Sequence, residues 1–169
     1  MDICPVCDAP FGCDIETILG RVTDIELLQA VACDVAQHVS FLTPHSMQTD
    51  DLLRRARQGD YEELVETLSD LQDMQRDVES SPARSRRAEK ALKSVQSAVK
   101  ALLSETVKEA CEETDRAARA ARLAARLSDT WQEENAWQID MICAACCTCH
   151  ALPKAAPTGD RLRVSMLAS

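Results

Sequence analysis

Apolar residues recur every three or four positions along most of this chain, and that spacing places them on one face of an α-helix. The first such segment runs from about residue 24 to residue 42, and Thr23 and Glu26 have the spacing of a capping box at its start. Its apolar face consists of Ile25, Leu28, Ala32 and Val35. We therefore predict a first amphipathic helix here, followed by a break at Thr-Pro-His-Ser.

A second periodic segment begins near Thr49 and reaches about Ser80, with a bend expected at Gly59 and Asp60. Its apolar stripe consists of Leu64, Leu68, Leu71, Met74 or Gln75, and Val78. Glutamate and aspartate crowd the opposite side, which is the usual composition of a solvated helix face. Residues 23–80 are thus expected to hold helices 1 and 2.

The third segment covers residues 81–152, and between Pro82 and Pro153 it contains neither glycine nor proline. Its apolar positions follow heptad-like spacing with one shift of register near Leu103. Many of these positions are alanine, so neighbouring helices approach closely but bury little area. Thr130 with Glu133 resembles a second capping box, so a break in this unusually long helix, if there is one, is expected near residues 128–130.

The fold class follows from these three segments and from the composition. Aromatic residues make up only 3% of the chain, which favours helices over sheets. We predict an all-α protein, a three- or four-helix antiparallel bundle with one unusually long helix and a flexible tail at 153–169. A break near 128–130 would return the C-terminal end to the N-terminal end; an unbroken helix would keep the two apart.

Nine cysteines concentrate towards the two ends of the chain. The candidate metal ligands in the N-terminal knuckle, residues 1–22, are Cys4, Cys7 and Cys13, and those at the C-terminal cluster are Cys143, Cys146, Cys147, Cys149 and His150. Two thiolates with two residues between them, as in Cys4 and Cys7, can face one tetrahedral ion, and ligands at intervals of three or four positions share a helix face. We predict that Cys4 and Cys7 join Cys146 and Cys149 around one zinc ion, with a second ion if all eight ligands bind. Zinc would thereby join the termini.

Other chemistries fit parts of the same cluster. Cys143, Cys146 and Cys149 repeat the first spacings of a bacterial [4Fe–4S] site, but Pro153 stands where its fourth cysteine is expected. Cys146 to His150 also matches the C-x-x-C-H pattern of covalent haem attachment, and a redox-active or free thiol cluster is a further alternative. The Cys-Pro-Val-Cys run resembles the zinc hook of coiled-coil repair ATPases over four residues only.

Charge is unevenly distributed along the chain. The net charge is −9, yet residues 82–126 hold eleven Lys and Arg against six Asp and Glu. Arg116, Arg119, Arg122 and Arg126 line one predicted helix face. This face is a candidate site for an acidic partner or for phosphates, and its alternative is a solvated face that the acidic second helix neutralises.

The motifs of nucleotide-binding and hydrolytic enzymes are missing from this glycine-poor sequence, so we do not expect an enzyme. The chain starts without a basic and apolar leader, and it has no run long enough to span a bilayer. We predict a soluble, intracellular, zinc-binding helical adaptor whose partner is another protein or a second copy of itself, with no membrane partner. The alternatives are an iron–sulfur or thiol redox protein and, less favoured, a nucleic-acid-binding protein.

Overall fold

The computed structural model describes residues 15–146, and all regular structure in that part of the chain is helical. The helices are α1 (Ile15–Leu19), α2 (Ile25–Val39), α3 (Ser46–Ala56), α4 (Tyr61–Ser80), α5 (Arg86–Leu103), α6 (Val107–Arg126) and α7 (Trp131–Cys146), with a 3₁₀ turn at Ser40–Leu42. The predicted all-α class is confirmed for these residues. Within them, no helix is long and apolar enough to cross a membrane.

Aspartate side chains set the starts of α2 and α4. Asp24 caps α2, and its carboxylate accepts hydrogen bonds from the amides of Glu26 and Leu27 at 3.0 and 3.4 Å. Asp60 forms a complete capping box with Glu63, with bonds of 3.0 and 3.1 Å. The expected bend at Gly59 and Asp60 is therefore a full break, which separates α3 from α4.

The prediction of one unusually long helix is wrong for the described residues, since α5, α6 and α7 are separate. The unexpected break lies between Leu103 and Thr106. The Thr106 hydroxyl accepts a hydrogen bond from the Glu109 amide, and the Glu109 carboxylate accepts one from the Glu105 amide, both at 3.2 Å. These bonds cap the start of α6 in a segment without glycine or proline, so α6 folds back on α5 and their alanine faces meet within one chain. The predicted count of three or four helices is also wrong, since the described chain is divided into seven α-helices.

The predicted break near residues 128–130 is confirmed. The Ala125 carbonyl accepts a hydrogen bond from the Thr130 amide at 2.9 Å, and the Arg126 carbonyl accepts one from the Asp129 amide at 3.2 Å. Asp129 has a positive φ of 59°, so it occupies the left-handed position that closes a Schellman motif. Glycine usually occupies this position, and aspartate holds it here at some conformational cost.

Helix α5 lies at the centre of the packing and contacts α2, α4 and α6. Several of its buried side chains are small: Ala91, Ser94 and Ala98 are fully buried, beside the larger Leu92, Val95 and Val99. The Ser94 hydroxyl donates a hydrogen bond of 2.9 Å to the Ala117 carbonyl of α6. A backbone group of one helix thus lies within hydrogen-bond reach of a side chain of the next, which requires a close approach of the two helices.

The two breaks bring the start and the end of the described chain together. Helix α7 packs against α6, α1 and α2. Its buried Trp137 and Ile142 belong to the same apolar cluster as Ile15, Ile18 and Leu19 of α1. The short helix α1 is thus held by contacts with the last described helix.

The turn between α6 and α7 provides a test of this topology. Asp129→Gly should raise the free energy of unfolding by about 0.5 to 1 kcal/mol, because glycine adopts positive φ without the Cβ penalty. Asp129→Ala should lower it by a similar amount, since alanine tolerates this conformation poorly. Urea unfolding followed by circular dichroism measures both changes, and equal stability of the two variants would contradict the turn geometry.

Candidate functional site

Most of the predicted metal ligands lie outside the described residues. These are Cys4, Cys7, Cys13, Cys147, Cys149 and His150, and only the backbone of Cys146 is described, as the last residue of α7. Within residues 15–146, no group of three or more His, Cys, Asp or Glu side chains is placed to hold a metal ion. The shared zinc site therefore stays a prediction, as does the tail at 153–169.

Cys143 is the predicted ligand whose side chain the structure describes. It is half-buried on α7 and packs against the apolar cluster that α1, α2, α6 and α7 share. Cys111 of α6, which was not among the predicted ligands, is half-buried and packs against the same cluster. Burial, then the carboxylates of Asp115, Glu112 and Glu16, raise the pKa of the Cys111 thiol above its usual value. Cys111 therefore favours the neutral thiol, which binds metals less well than a thiolate.

Cys33 has a structural role. It is buried on α2 and belongs to the second apolar cluster, with Leu52 and Leu53 of α3. Burial raises the pKa of the Cys33 thiol to about 11, although the guanidinium of Arg57 opposes the shift. Of the cysteines whose side chains are described, it is the fully buried one. It acts here as a small apolar side chain.

A polar cluster lies where α2 meets α7. His38 Nδ1 donates a hydrogen bond to Glu134 Oε2 at 2.6 Å, and the His38 ring stacks on Trp137 with a centroid distance of 3.6 Å and an interplanar angle of 8°. Glu134 is only 5% exposed, whereas the His38 side chain is 29% exposed. A buried carboxylate is stable only where donors compensate for its lost hydration. His38 is one such donor.

Gln138 extends the polar cluster to α6. Its side-chain amide donates to Glu134 Oε1 at 2.7 Å and to the Ala118 carbonyl at 3.2 Å. Arg122 Nη1 donates to Gln138 Oε1 at 3.4 Å. Both oxygens of Glu134 thus accept hydrogen bonds, and the cluster connects three helices. Its geometry fixes the position of α7 on the bundle.

Sequence reasoning did not find this polar cluster. His38 and Glu134 are 96 residues apart, and neither belongs to a motif with fixed spacing. His38 lies in the last turn of α2 and Glu134 in the first turn of α7. Only the packing of α7 against α2 brings the two side chains together. The sequence alone does not show that Glu134 and Gln138 are buried, and their burial is the signal that would have revealed the cluster.

The predicted arginine face is divided in the structure. Arg116 pairs with Glu113 on its own helix, and Arg119 pairs with Asp115 at 2.8 Å and with Glu16 of α1 at 2.7 Å. Arg122 turns towards Gln138 of α7, while Arg126 is exposed. The observed carboxylate partners of this face come from α6 itself and from α1. Two exposed leucines, Leu123 and Leu127, lie on the same surface as the outward-facing arginines.

Comparison of the chain with protein-family models, with characterised proteins and with solved structures finds no match. The function therefore has to be argued from the residues and their geometry.

Removal of His38 tests the polar cluster. His38→Ala should lower the free energy of unfolding by about 2 to 3 kcal/mol, because it leaves the buried Glu134 carboxylate without its main donor and removes the ring stack on Trp137. Adding Glu134→Gln should recover part of the loss, since a neutral amide is less costly to bury. His45→Ala, at an exposed histidine without a side-chain capping bond, is the matched control and should change stability by less than about 0.5 kcal/mol. Equal losses of unfolding free energy in His38→Ala and His45→Ala would contradict the stabilising role of His38 in the polar cluster.

Thiol labelling tests the environment of Cys33. With a pKa of about 11, roughly a thousandth of this thiol is ionised at pH 8, and burial excludes the reagent as well. Cys33 should therefore resist iodoacetamide in the folded protein and react after denaturation, as peptide mass mapping of the labelled chain measures. If Cys33 in the native protein were labelled as fast as the half-buried Cys111 and Cys143, its burial would be contradicted.

Proposed function

We propose that this protein is a helical adaptor in which structural zinc joins the two cysteine-rich ends and exposed helix faces bind another protein. The proposed ligands are Cys4 and Cys7 from one end and Cys146 and Cys149 from the other. The packing of α1 against α7 supports this proposal. Helix α1 follows Cys4 and Cys7 along the chain, and α7 leads into Cys146 and Cys149.

The distances along the chain are compatible with a shared ion. Cys13 is two residues before α1 and Cys149 is three residues after α7. An extended chain spans at most about 3.5 Å per residue, so the α-carbons of these two residues can be no more than about 7 and 10 Å from the adjoining helix ends. Cys4 and Cys7 have a longer tether and a correspondingly larger reach. The chain lengths therefore allow one ion to take ligands from both ends.

Zinc fits the adaptor role because four thiolates close its coordination sphere. Such a site is structural: it has no open position for a substrate, and the ion has no redox chemistry. Helix α1 has five residues, far fewer than an isolated helix needs for stability in water. Its apolar contacts with α7 hold it in place, and a nearby zinc site would add to that hold. Helices α3, α4 and α5 are held by an apolar cluster to which α1 and α7 contribute no residue, so we expect zinc to secure α1 and α7 more than these helices.

The alternatives remain separate outcomes of the same experiment. A [4Fe–4S] cluster would use the same thiols but would colour the protein brown. Nucleic-acid binding would use the arginines of α6, and the net charge of −9 disfavours it because the chain as a whole repels a polyanion. We therefore place the adaptor before this alternative.

Metal analysis of protein purified without air tests the proposal. The colourless chain should contain about one zinc ion, or two if all eight ligands bind, and Cys4→Ser with Cys7→Ser or Cys146→Ser with Cys149→Ser should each remove about one. Chelation should increase hydrogen exchange in α1 and α7 before α5 is affected. Cys111→Ser, outside the proposed set, is the matched control and should keep its zinc. A metal-free native protein, or iron with broad visible absorbance, would overturn the zinc assignment.

A further inference from the structure

Helices α4 and α6 each expose a stripe in which charged residues adjoin apolar ones. The α4 stripe carries Glu62, Glu66, Asp70, Asp73 and Asp77, all exposed, beside Tyr61 and Val65. The α6 stripe carries Arg116, Arg119 and Arg126, beside Leu123 and Leu127. Charge is opposite on the two stripes: α4 holds seven Asp and Glu against one Arg, whereas residues 116–126 hold four Arg and no acid.

The two stripes of one chain do not face each other. Helix α4 packs mainly against α5, and α6 packs mainly against α5 and α2. The buried apolar residues of α4 belong to the cluster that contains Cys33, and those of α6 that join a cluster belong to the one that contains Trp137. Each stripe is therefore presented to solvent on its own side of the bundle, and only a second molecule would allow the two to meet.

The apolar residues of the stripes match in antiparallel order. Tyr61 and Val65 are four residues apart near the start of α4, and Leu123 and Leu127 are four residues apart at the end of α6. Antiparallel alignment places Tyr61 opposite Leu127 and Val65 opposite Leu123. Tyr61 is 70% exposed and the other three are between 43% and 49% exposed. Exposed apolar side chains grouped with charges of one sign are typical of helix faces that dock on another protein.

The same alignment also brings two pairs of opposite charges to matching levels. Glu62 falls opposite Arg126, and Asp73 falls within one residue of the level of Arg116. The two acids are eleven residues apart and the two arginines ten, so both pairs span about 15 Å at the rise of an α-helix. Antiparallel alignment also places the ends of the two helix dipoles next to ends of opposite sign. One register thus satisfies both the apolar and the charged residues.

We propose that the partner at this surface is a second copy of the chain, with α4 of one molecule packed antiparallel on α6 of the other. The two surfaces are unlike and lie on different sides of the bundle, so the contact is head-to-tail: each molecule offers α4 to one neighbour and α6 to another, in a closed ring or an open filament. This proposal names a partner for the adaptor but uses only residues of α4 and α6. Its outcome is therefore independent of the zinc content of the protein.

Matched charge reversals test the contact by sedimentation velocity over a wide concentration range. The full-length chain should associate at low salt and less at high salt, because salt screens exposed charges. Glu62→Arg with Asp73→Arg should weaken self-association at least about tenfold, and so should Arg116→Glu with Arg126→Glu. An equimolar mixture of the two variants should associate again, since the basic α4 of the first variant complements the acidic α6 of the second. Circular dichroism confirms that both variants are folded.

Apolar substitutions supply the matched control. Leu123→Ser should also weaken association, whereas Met47→Ser, at an 87% exposed residue of α3, should leave it unchanged. A native chain that stays monomeric at low salt would overturn the proposal. So would association that the reversals do not affect, or folded variants whose mixture does not associate.

Discussion

Close contact between α5 and its neighbours is the constraint on which the rest of the structure depends. Alanine and serine at the contact, such as Ala91, Ser94 and Ala98, let the helices approach until a side chain of α5 bonds to the backbone of α6. Small side chains contribute little transfer free energy each, so stability comes from many van der Waals contacts at high packing density. A larger residue at such a position would separate the helices. The two apolar clusters on either side of α5 then hold the remaining helices.

The last helix depends on a different kind of contact. Helix α7 lies on the bundle through Trp137 and Ile142 and through the hydrogen bonds of Glu134 and Gln138. Buried polar groups are costly unless they are paired, so this cluster permits one position of α7 and penalises others. That position matters for the proposed zinc site because α7 leads into the C-terminal cysteines and contacts α1. The polar cluster and the proposed zinc ion would restrain the same helix from its two ends.

The proposed functions use separate parts of the molecule. Zinc would join the segments that flank α1 and α7, while self-association would use the exposed faces of α4 and α6. An adaptor benefits from this separation, because a structural ion holds the chain ends and leaves the helix faces available to a partner. The arginines of α6 lie on both parts of the molecule. Arg119 pairs with Glu16 of α1, whereas Arg126 faces solvent beside Leu127 on the proposed association surface.

The sequence by itself determined the all-α class, the start of α2 near Asp24, an interruption at Gly59 and Asp60 and the candidate break before α7, because caps and periodicity are local properties of the chain. It indicated Thr23 and not Asp24 as the capping residue of α2, and it indicated the interruption at Gly59 as a bend and not as a break. The cap at Thr106 was also local, but it lay within an apolar repeat that continues past it and so suggested an unbroken helix. Only the tertiary structure decided that α6 folds back on α5, which lets their alanine faces bury each other. It alone brought His38 to Glu134 and α1 to α7, since pairing across that sequence distance follows from packing and not from spacing. The zinc ligands remain a prediction from residue type, because most of them lie outside residues 15–146.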